Sequence, residues 1–284
     1  MAVDAALLIM ALFWAANMIA LKWLLGALPP SLLSSLRFSL VACIGLGVLA
    51  VRRGPFTVAR RDVPRLLLSA FTGITLYQVL FMEGLDRSTA FVSNLLQGTE
   101  PLWALILLSL TGATVLRRQW AGVLVAFLGA ILFFLQDVGR GFTMALGRGD
   151  LLNLASAASF AVYGLACRPL FERYPGRTIM ALSMSLGALP LVVWSGPELQ
   201  AFDWASLTPQ VWGALAFSSV LPVYVGYWIW NWAITKKGLA HASLYIFVDI
   251  ILSGVASYLF LGERFGLLRL AGASIILAGV RLAR

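Results

Sequence analysis

The chain has 284 residues, of which 61% are hydrophobic and 12% charged, and its formal net charge is +9. A soluble domain carries roughly 25% charged residues, so a soluble enzyme or soluble binding module is excluded; apolar runs of about 20 residues recur instead, each long enough to cross a bilayer as a helix. The positive charge does not mark a nucleic-acid surface, because the basic residues are spread through short segments between the apolar runs, where they orient a membrane protein.

The first segment, MAVDAALLIMALFWAANMIALKW, is apolar from its start. It has no basic leading region and is too long for the apolar core of a cleaved signal, so it reads as a first spanning helix. Ten helices are expected, at residues 4–25, 31–51, 64–83, 88–110, 119–136, 149–167, 177–196, 207–233, 238–261 and 265–282. The breaks have chemical causes. ALPPS (27–31) stops the first helix because proline lacks a backbone donor, and RRGPFTVARRD (52–62), RYPGR (173–177) and TKKG (235–238) are charged turns. With the N-terminus inside, most of the 21 basic residues fall in inner segments, among them Arg52, Arg53, Arg60, Arg61, Arg117, Arg118, Arg173, Arg177, Lys236 and Lys237, whereas Asp137, Asp150, Glu198 and Asp203 fall outside. This bias places both termini in the cytoplasm. The expected class is an all-α polytopic membrane protein.

The fourth expected helix carries NLLQGTEP (94–101) inside an otherwise apolar run. Ser93, Gln97 and Glu100 recur at i, i+4 and i+7, on one helical face, with Asn94 beside them. Gly98 and Pro101 loosen the same turn, so a kink is expected there. In the ninth helix His241, Tyr245 and Asp249 share a face at i, i+4 and i+8. A charge at bilayer depth costs about 2.5–3.5 kcal/mol on insertion scales, so both faces are expected to meet each other or water. Glu100 could instead serve as a structural partner of Arg37, which lies in the apolar run SLLSSLRFSL. Glu100, Asp249 and His241 are the candidates for proton coupling. Cys43 and Cys167 lie on separate apolar runs, so neither a disulfide nor a metal site is expected. No phosphate-binding loop occurs, and no cofactor is expected.

The chain also carries an internal repeat. Residues 7–22 align with 153–168, setting Trp14 on Phe160, Asn17 on Tyr163 and Lys22 on Arg168; residues 89–101 align with 238–250, setting Glu100 on Asp249. Residues 120–132 align with 270–282, setting Gly122 on Gly272 and Gly129 on Gly279. Five helices per half make the second half enter the membrane the opposite way. Two units are therefore expected, 1–137 and 149–284, as inverted five-helix repeats with a site at their interface. The small-residue row Gly122, Ala126 and Ala130, with Gly272 and Gly279, marks the fifth and tenth helices as packing or dimer surface; a monomer or weak dimer is expected.

ALFWAANMIALK in the first helix, SSLRF in the second, TEP in the fourth and YLFLGERFGLLRLAGASIILAGV at the C-terminus, in this order, resemble the drug/metabolite transporter superfamily, and within it the EamA-type exporters. The chain looks most like the YddG-type exporters of aromatic and other apolar amino acids. It departs from internal symmetry where Ala113 and Thr114 face Gly262 and Glu263, and where Pro101 faces Ile250. The resemblance implies a secondary transporter in the bacterial inner membrane, not an enzyme, that exports a small metabolite by alternating access. It also implies a cavity lined by helices one, three, four, six, eight and nine. Trp14, Tyr77, Tyr163 and Trp228 suit an aromatic wall on those helices, and Asn17 and Gln78 suit its polar groups. With Ser93, Asn94, Gln97, Glu100, His241 and Tyr245 they are the expected substrate-binding residues. Arg37, Lys22 and helix N-termini are candidates to receive a substrate carboxylate. Other metabolites or drugs are the alternative cargo. An intramembrane lipid-modifying enzyme is the alternative of another class, but no HExxH, paired-aspartate or Ser/His grouping is present for it.

Overall fold

The computed structural model describes residues 2–135, 147–261 and 266–283, and among these every regular element is helical. The helices are α1 (Ala2–Leu24), α2 (Pro30–Val51), α3 (Val63–Ala70), α4 (Tyr77–Arg87), α5 (Ala90–Gln97), α6 (Glu100–Leu110) and α7 (Arg117–Leu135). There follow α8 (Arg148–Arg173), α9 (Gly176–Trp194), α10 (Gly196–Ala201), α11 (Pro209–Ser218), α12 (Gly226–Lys237), α13 (Leu239–Leu261) and α14 (Leu267–Ala283). Among the described residues seven segments are long and apolar enough to cross a membrane: Ala2–Leu24, Pro30–Val51, Arg60–Arg87, Arg148–Arg173, Gly176–Trp194, Pro209–Lys237 and Leu239–Ala256. The Gly262–Glu263 pair lies outside the described residues, as do Asp137, Arg140 and Arg264.

The start of α2 follows the sequence directly. Pro29 is extended at the cap position and Pro30 opens the helix, where its missing donor costs nothing. Gly238 ends α12 with a φ of 84°, a left-handed backbone that glycine adopts freely, and the chain turns at once into α13.

Four differences from the sequence expectation stand out. The segment expected as one helix at 88–110 is two, α5 and α6, separated at Gly98 and Thr99, with Pro101 in the first turn of α6. The α8 helix runs on through Pro169 to Arg173, beyond the expected end at 167, because the break falls at Tyr174 and Pro175. A short helix, α10, occupies part of the connection after α9. Finally, the segments Arg60–Arg87 and Pro209–Lys237 each contain a π-turn, at Phe71–Leu76 and Ser219–Val225.

The helices pack in reciprocal pairs. α7 lies along α14 and α2 along α9; α1 packs on α12 and α13, while α8 packs on α3, α4 and α6. The α7–α14 approach is the tightest: a Cβ on Gly279 would stand 2.4 Å from the Ala126 backbone nitrogen, and one on Gly122 would stand 2.4 Å from that of Ala283. Small residues thus bring the two backbones together, and this row is used within the chain.

The distribution of polarity is inverted relative to a soluble protein. Leu128, Leu189 and Val193 are exposed on the outside, whereas Asn17, Arg37, Gln78, Asn94, Glu100, Asn153, Asn231 and Asp249 are buried. Such a molecule meets hydrocarbon with its surface and keeps its polar groups within.

Candidate functional site

The polar interior converges on a central cleft. Its walls are Trp14, Asn17 and Met18 of α1, Arg37 of α2, Tyr77, Gln78 and Phe81 of α4, Asn94 and Gln97 of α5, Phe160 of α8, Pro222 and Val223 of the second π-turn, Tyr227 of α12, and Ile246 and Asp249 of α13. Its empty space is about 640 Å³, open mouth included.

One wall is aromatic. Tyr77 stacks on Phe81 with ring centroids 5.5 Å apart, and Phe160 stands 4.9 Å from Tyr77, 6.0 Å from Trp14 and 5.7 Å from Tyr227. Trp230 closes the cluster from behind, 5.1 Å from Phe160 and fully buried.

The π-turns hold this wall in place. A π-turn loosens the regular carbonyl–donor ladder, and within a membrane such backbone is tolerated only where protein or a cavity meets it. Here the carbonyls of the turns are claimed by side chains from the other half of the chain. Trp14 Nε1 donates to the Pro222 carbonyl at 3.0 Å, Tyr227 Oη to Gly73 at 2.8 Å, and Ser159 Oγ to Thr72 at 2.7 Å. Gly73 is required where it stands, because a Cβ there would lie 2.2 Å from the Tyr163 ring.

Three ionisable side chains are buried near the centre. Arg37 is 2% exposed and its hydrogen bonds are long, from Nη1 to Gln78 Oε1 at 3.4 Å and from Nη2 to the Ser218 carbonyl at 3.3 Å; its Nε has no hydrogen-bond partner, and its guanidinium lies 5.8 Å from the centre of the Phe38 ring. Asp249 is 5% exposed and its Oδ1 has no partner. Glu100 is fully buried; Ser243 Oγ donates to its Oε1 at 3.1 Å, and its Oε2 has no partner. Arg37 does not pair with Glu100; its contacts run to α4 and to the end of α11 instead.

The expected site residues therefore separate. Trp14, Asn17, Tyr77, Gln78, Asn94, Gln97 and Asp249 share the cleft wall. Glu100 sits behind it, below the turn that divides α5 from α6. Ser93 is fully buried and its Oγ accepts from Asn153 Nδ2 at 2.9 Å. Tyr163 lies one layer deeper, bonded to Asn231 Oδ1 at 2.9 Å and packed on Gly73. His241 and Tyr245 lie nearer the N-terminal end of α13, where His241 Nε2 is 2.9 Å from Asp4 Oδ1 and Tyr245 Oη donates to the same oxygen at 2.9 Å. Trp228 is 43% exposed and lines a separate fissure with Arg52, Arg177 and Tyr224. One residue along a helix turns a side chain by about 100°, so Tyr227 faces the cleft and Trp228 does not. Phe160, Met18 and Ile246 were not expected on the wall, although the repeat had already set Phe160 opposite Trp14.

Polar bonds tie the helices together at both ends of the cleft. At one end are the Asp4 contacts with α13. At the other, Lys22 Nζ donates to the carbonyls of Leu85 and Ser88 at 2.8 and 2.9 Å, Ser88 Oγ meets Asp150 Oδ1 at 2.5 Å, and Gln97 Nε2 donates to Ser156 Oγ at 2.6 Å. Among the described residues no group of His, Cys, Asp and Glu could hold a metal ion.

Comparison with known proteins agrees with this architecture. The family model of the EamA-like transporter family matches twice, at residues 1–135 and 147–284. The uncharacterized transporter YyaM of Bacillus subtilis is 25% identical over 265 residues, 92% of this chain and 87% of its own. A protein named probable terminal-alkyne amino-acid exporter, from Streptantibioticus cattleyicolor, is 29% identical over 240 residues, 82% of this chain and 78% of its own. One named probable amino-acid metabolite efflux pump, from Salmonella typhimurium, is 26% identical over 289 residues, 96% of this chain and 91% of its own. A crystal structure of a protein with 21% sequence identity superposes with a TM-score of 0.78 over 98% of this chain and 97% of that one, a likeness of fold. The two family matches span nearly the whole chain, so this multi-pass integral membrane protein belongs to the EamA-like transporter family.

Proposed function

We propose that the protein is a secondary transporter that exports small metabolites, foremost aromatic and other apolar amino acids, across the bacterial inner membrane by alternating access. The observation that carries this reading is the central cleft, walled by both halves of the chain, with aromatic rings on one side and buried amide and charged groups on the other. A small amphipathic solute fits such a lining. Two relatives bear names that specify export of amino acids or their metabolites.

In this reading the halves 1–137 and 149–284 are inverted five-helix repeats, both termini are cytoplasmic, and ten helices span the bilayer. Three observations support it: the reciprocal helix pairs, the two family matches, and π-turns at equivalent places in Arg60–Arg87 and Pro209–Lys237. The halves rock about the cleft, and the polar ties at its two ends break in alternation. Glu100 and Asp249 are the groups through which a proton gradient acts. His241, held by Asp4, belongs to the tie at one end and not to the substrate wall.

Efflux from proteoliposomes tests the proposal. Vesicles containing the purified protein are loaded with a mixed amino-acid pool, and the solutes that leave are identified by mass spectrometry, with and without an imposed pH gradient. Selective loss of Phe, Trp, Tyr, Leu or Met is expected. Loss of all amino acids at the rate of protein-free vesicles would refute amino-acid export.

A further inference from the structure

Arg37 and Asp249 both line the cleft with opposite charge types, and among the described residues neither has an ionic partner. No ion pair joins them, and each keeps a buried polar atom without any hydrogen bond, Nε of Arg37 and Oδ1 of Asp249. The two bonds that Arg37 does make are long, at 3.3 and 3.4 Å. Leaving a buried ion unpaired costs several kcal/mol, and a guanidinium presents a planar fork of donors suited to a carboxylate. Among the described residues no side chain donates to Asp249.

Building on the export reading above, we infer that Arg37 and Asp249 form the two poles of a zwitterion site, Arg37 receiving the carboxylate and Asp249 the ammonium of a free α-amino acid. The chemistry selects among cargoes. A monocarboxylate satisfies Arg37 and leaves Asp249 unmet. An organic cation satisfies Asp249 and leaves Arg37 unmet. A solute that carries both charges meets both groups, while its side chain lies against Trp14, Tyr77, Phe81 and Phe160. A buried polar group left unpaired discriminates strongly against the analogue that fails to reach it. The charge pair therefore sets the substrate class, and the rings set the side-chain preference.

Binding to the purified protein, measured by calorimetry in detergent, tests this with L-phenylalanine, L-leucine and L-methionine, together with two analogues of phenylalanine. One analogue, 2-phenylethylamine, lacks the carboxylate; the other, 3-phenylpropionate, lacks the ammonium. The wild-type protein is expected to bind phenylalanine about tenfold or more tightly than either analogue. Arg37→Gln removes the advantage over phenylethylamine but keeps the advantage over phenylpropionate, and Asp249→Asn does the reverse. Equal affinity for all three phenyl compounds overturns the inference, as does a uniform loss of binding in both variants. The wild-type series decides the matter even if a variant fails to fold. If none of the amino acids binds while the proteoliposomes pass a hydrophobic cation such as ethidium, the zwitterion site is wrong and the transporter reading stands. If no solute crosses at all, the transporter reading fails, and the inference fails with it.

Discussion

At the scale of single residues, position along a helix mattered more than the face. His241, Tyr245 and Asp249 share one face of α13, yet only Asp249 reaches the cleft; the other two are spent on Asp4. Helical spacing reveals a common face but not which of its residues meets the central cavity and which meets a neighbour near the end, and this is why seven expected site residues lie on the wall and the rest do not. Glu100 is fully buried behind that wall with one oxygen unpartnered. Glu100→Gln is expected to abolish accumulation against a solute gradient while sparing one-for-one exchange, both read as isotope uptake into proteoliposomes; unchanged concentrative transport would remove Glu100 from coupling. Trp14 has a structural task as well as a cavity face. Trp14→Phe strips the Pro222 carbonyl of its donor, and leaving such a group unmet costs about 1–3 kcal/mol. A lower melting temperature in detergent is the expected outcome, and no change would mean that another donor replaces the indole.

At the scale of elements, the break between α5 and α6 was legible beforehand, because Gly98 and Pro101 weaken the helix within one turn. The two π-turns were not. Pro222 in SVLPVYV removes a backbone donor and so weakens the ladder there, but FTGITL has no proline, and the carbonyls of both turns are satisfied by Trp14, Ser159 and Tyr227, which lie far away in sequence. The glycines of α7 and α14 were recognisable as a packing stripe, and the structure assigns that stripe to a contact within the chain. Gly279→Ala places a methyl group against the α7 backbone, where only main-chain movement can relieve it. Overpacking of this kind costs about 1–3 kcal/mol, so the melting temperature should fall by several degrees. Gly47→Ala on α2 meets nothing within 4 Å and should be neutral or stabilising by up to about 1 kcal/mol. Equal melting temperatures for the two variants would show that α7 and α14 are not tightly joined.

At the scale of the whole molecule, the all-helical character and nearly every segment were readable from composition and apolar periodicity. A bilayer imposes a minimum helix length and forbids unpaired backbone, so few architectures are open to such a chain. The cleft was less readable, because its walls come from seven helices and a π-turn that no local pattern brings together. In the export reading that cleft is the path of the solute. Met18 lines it from α1 and is 8% exposed, so Met18→Trp fills the space with one apolar group in place of another. The most direct test is amino-acid efflux from proteoliposomes holding wild-type protein or Met18→Trp, both shown to be folded by thermal melting and size-exclusion chromatography. Selective efflux of apolar amino acids is expected from wild-type vesicles, with a fall to the rate of protein-free vesicles when the cleft is filled. Efflux that persists unchanged in Met18→Trp would contradict this reading, because the solute would then be taking another route.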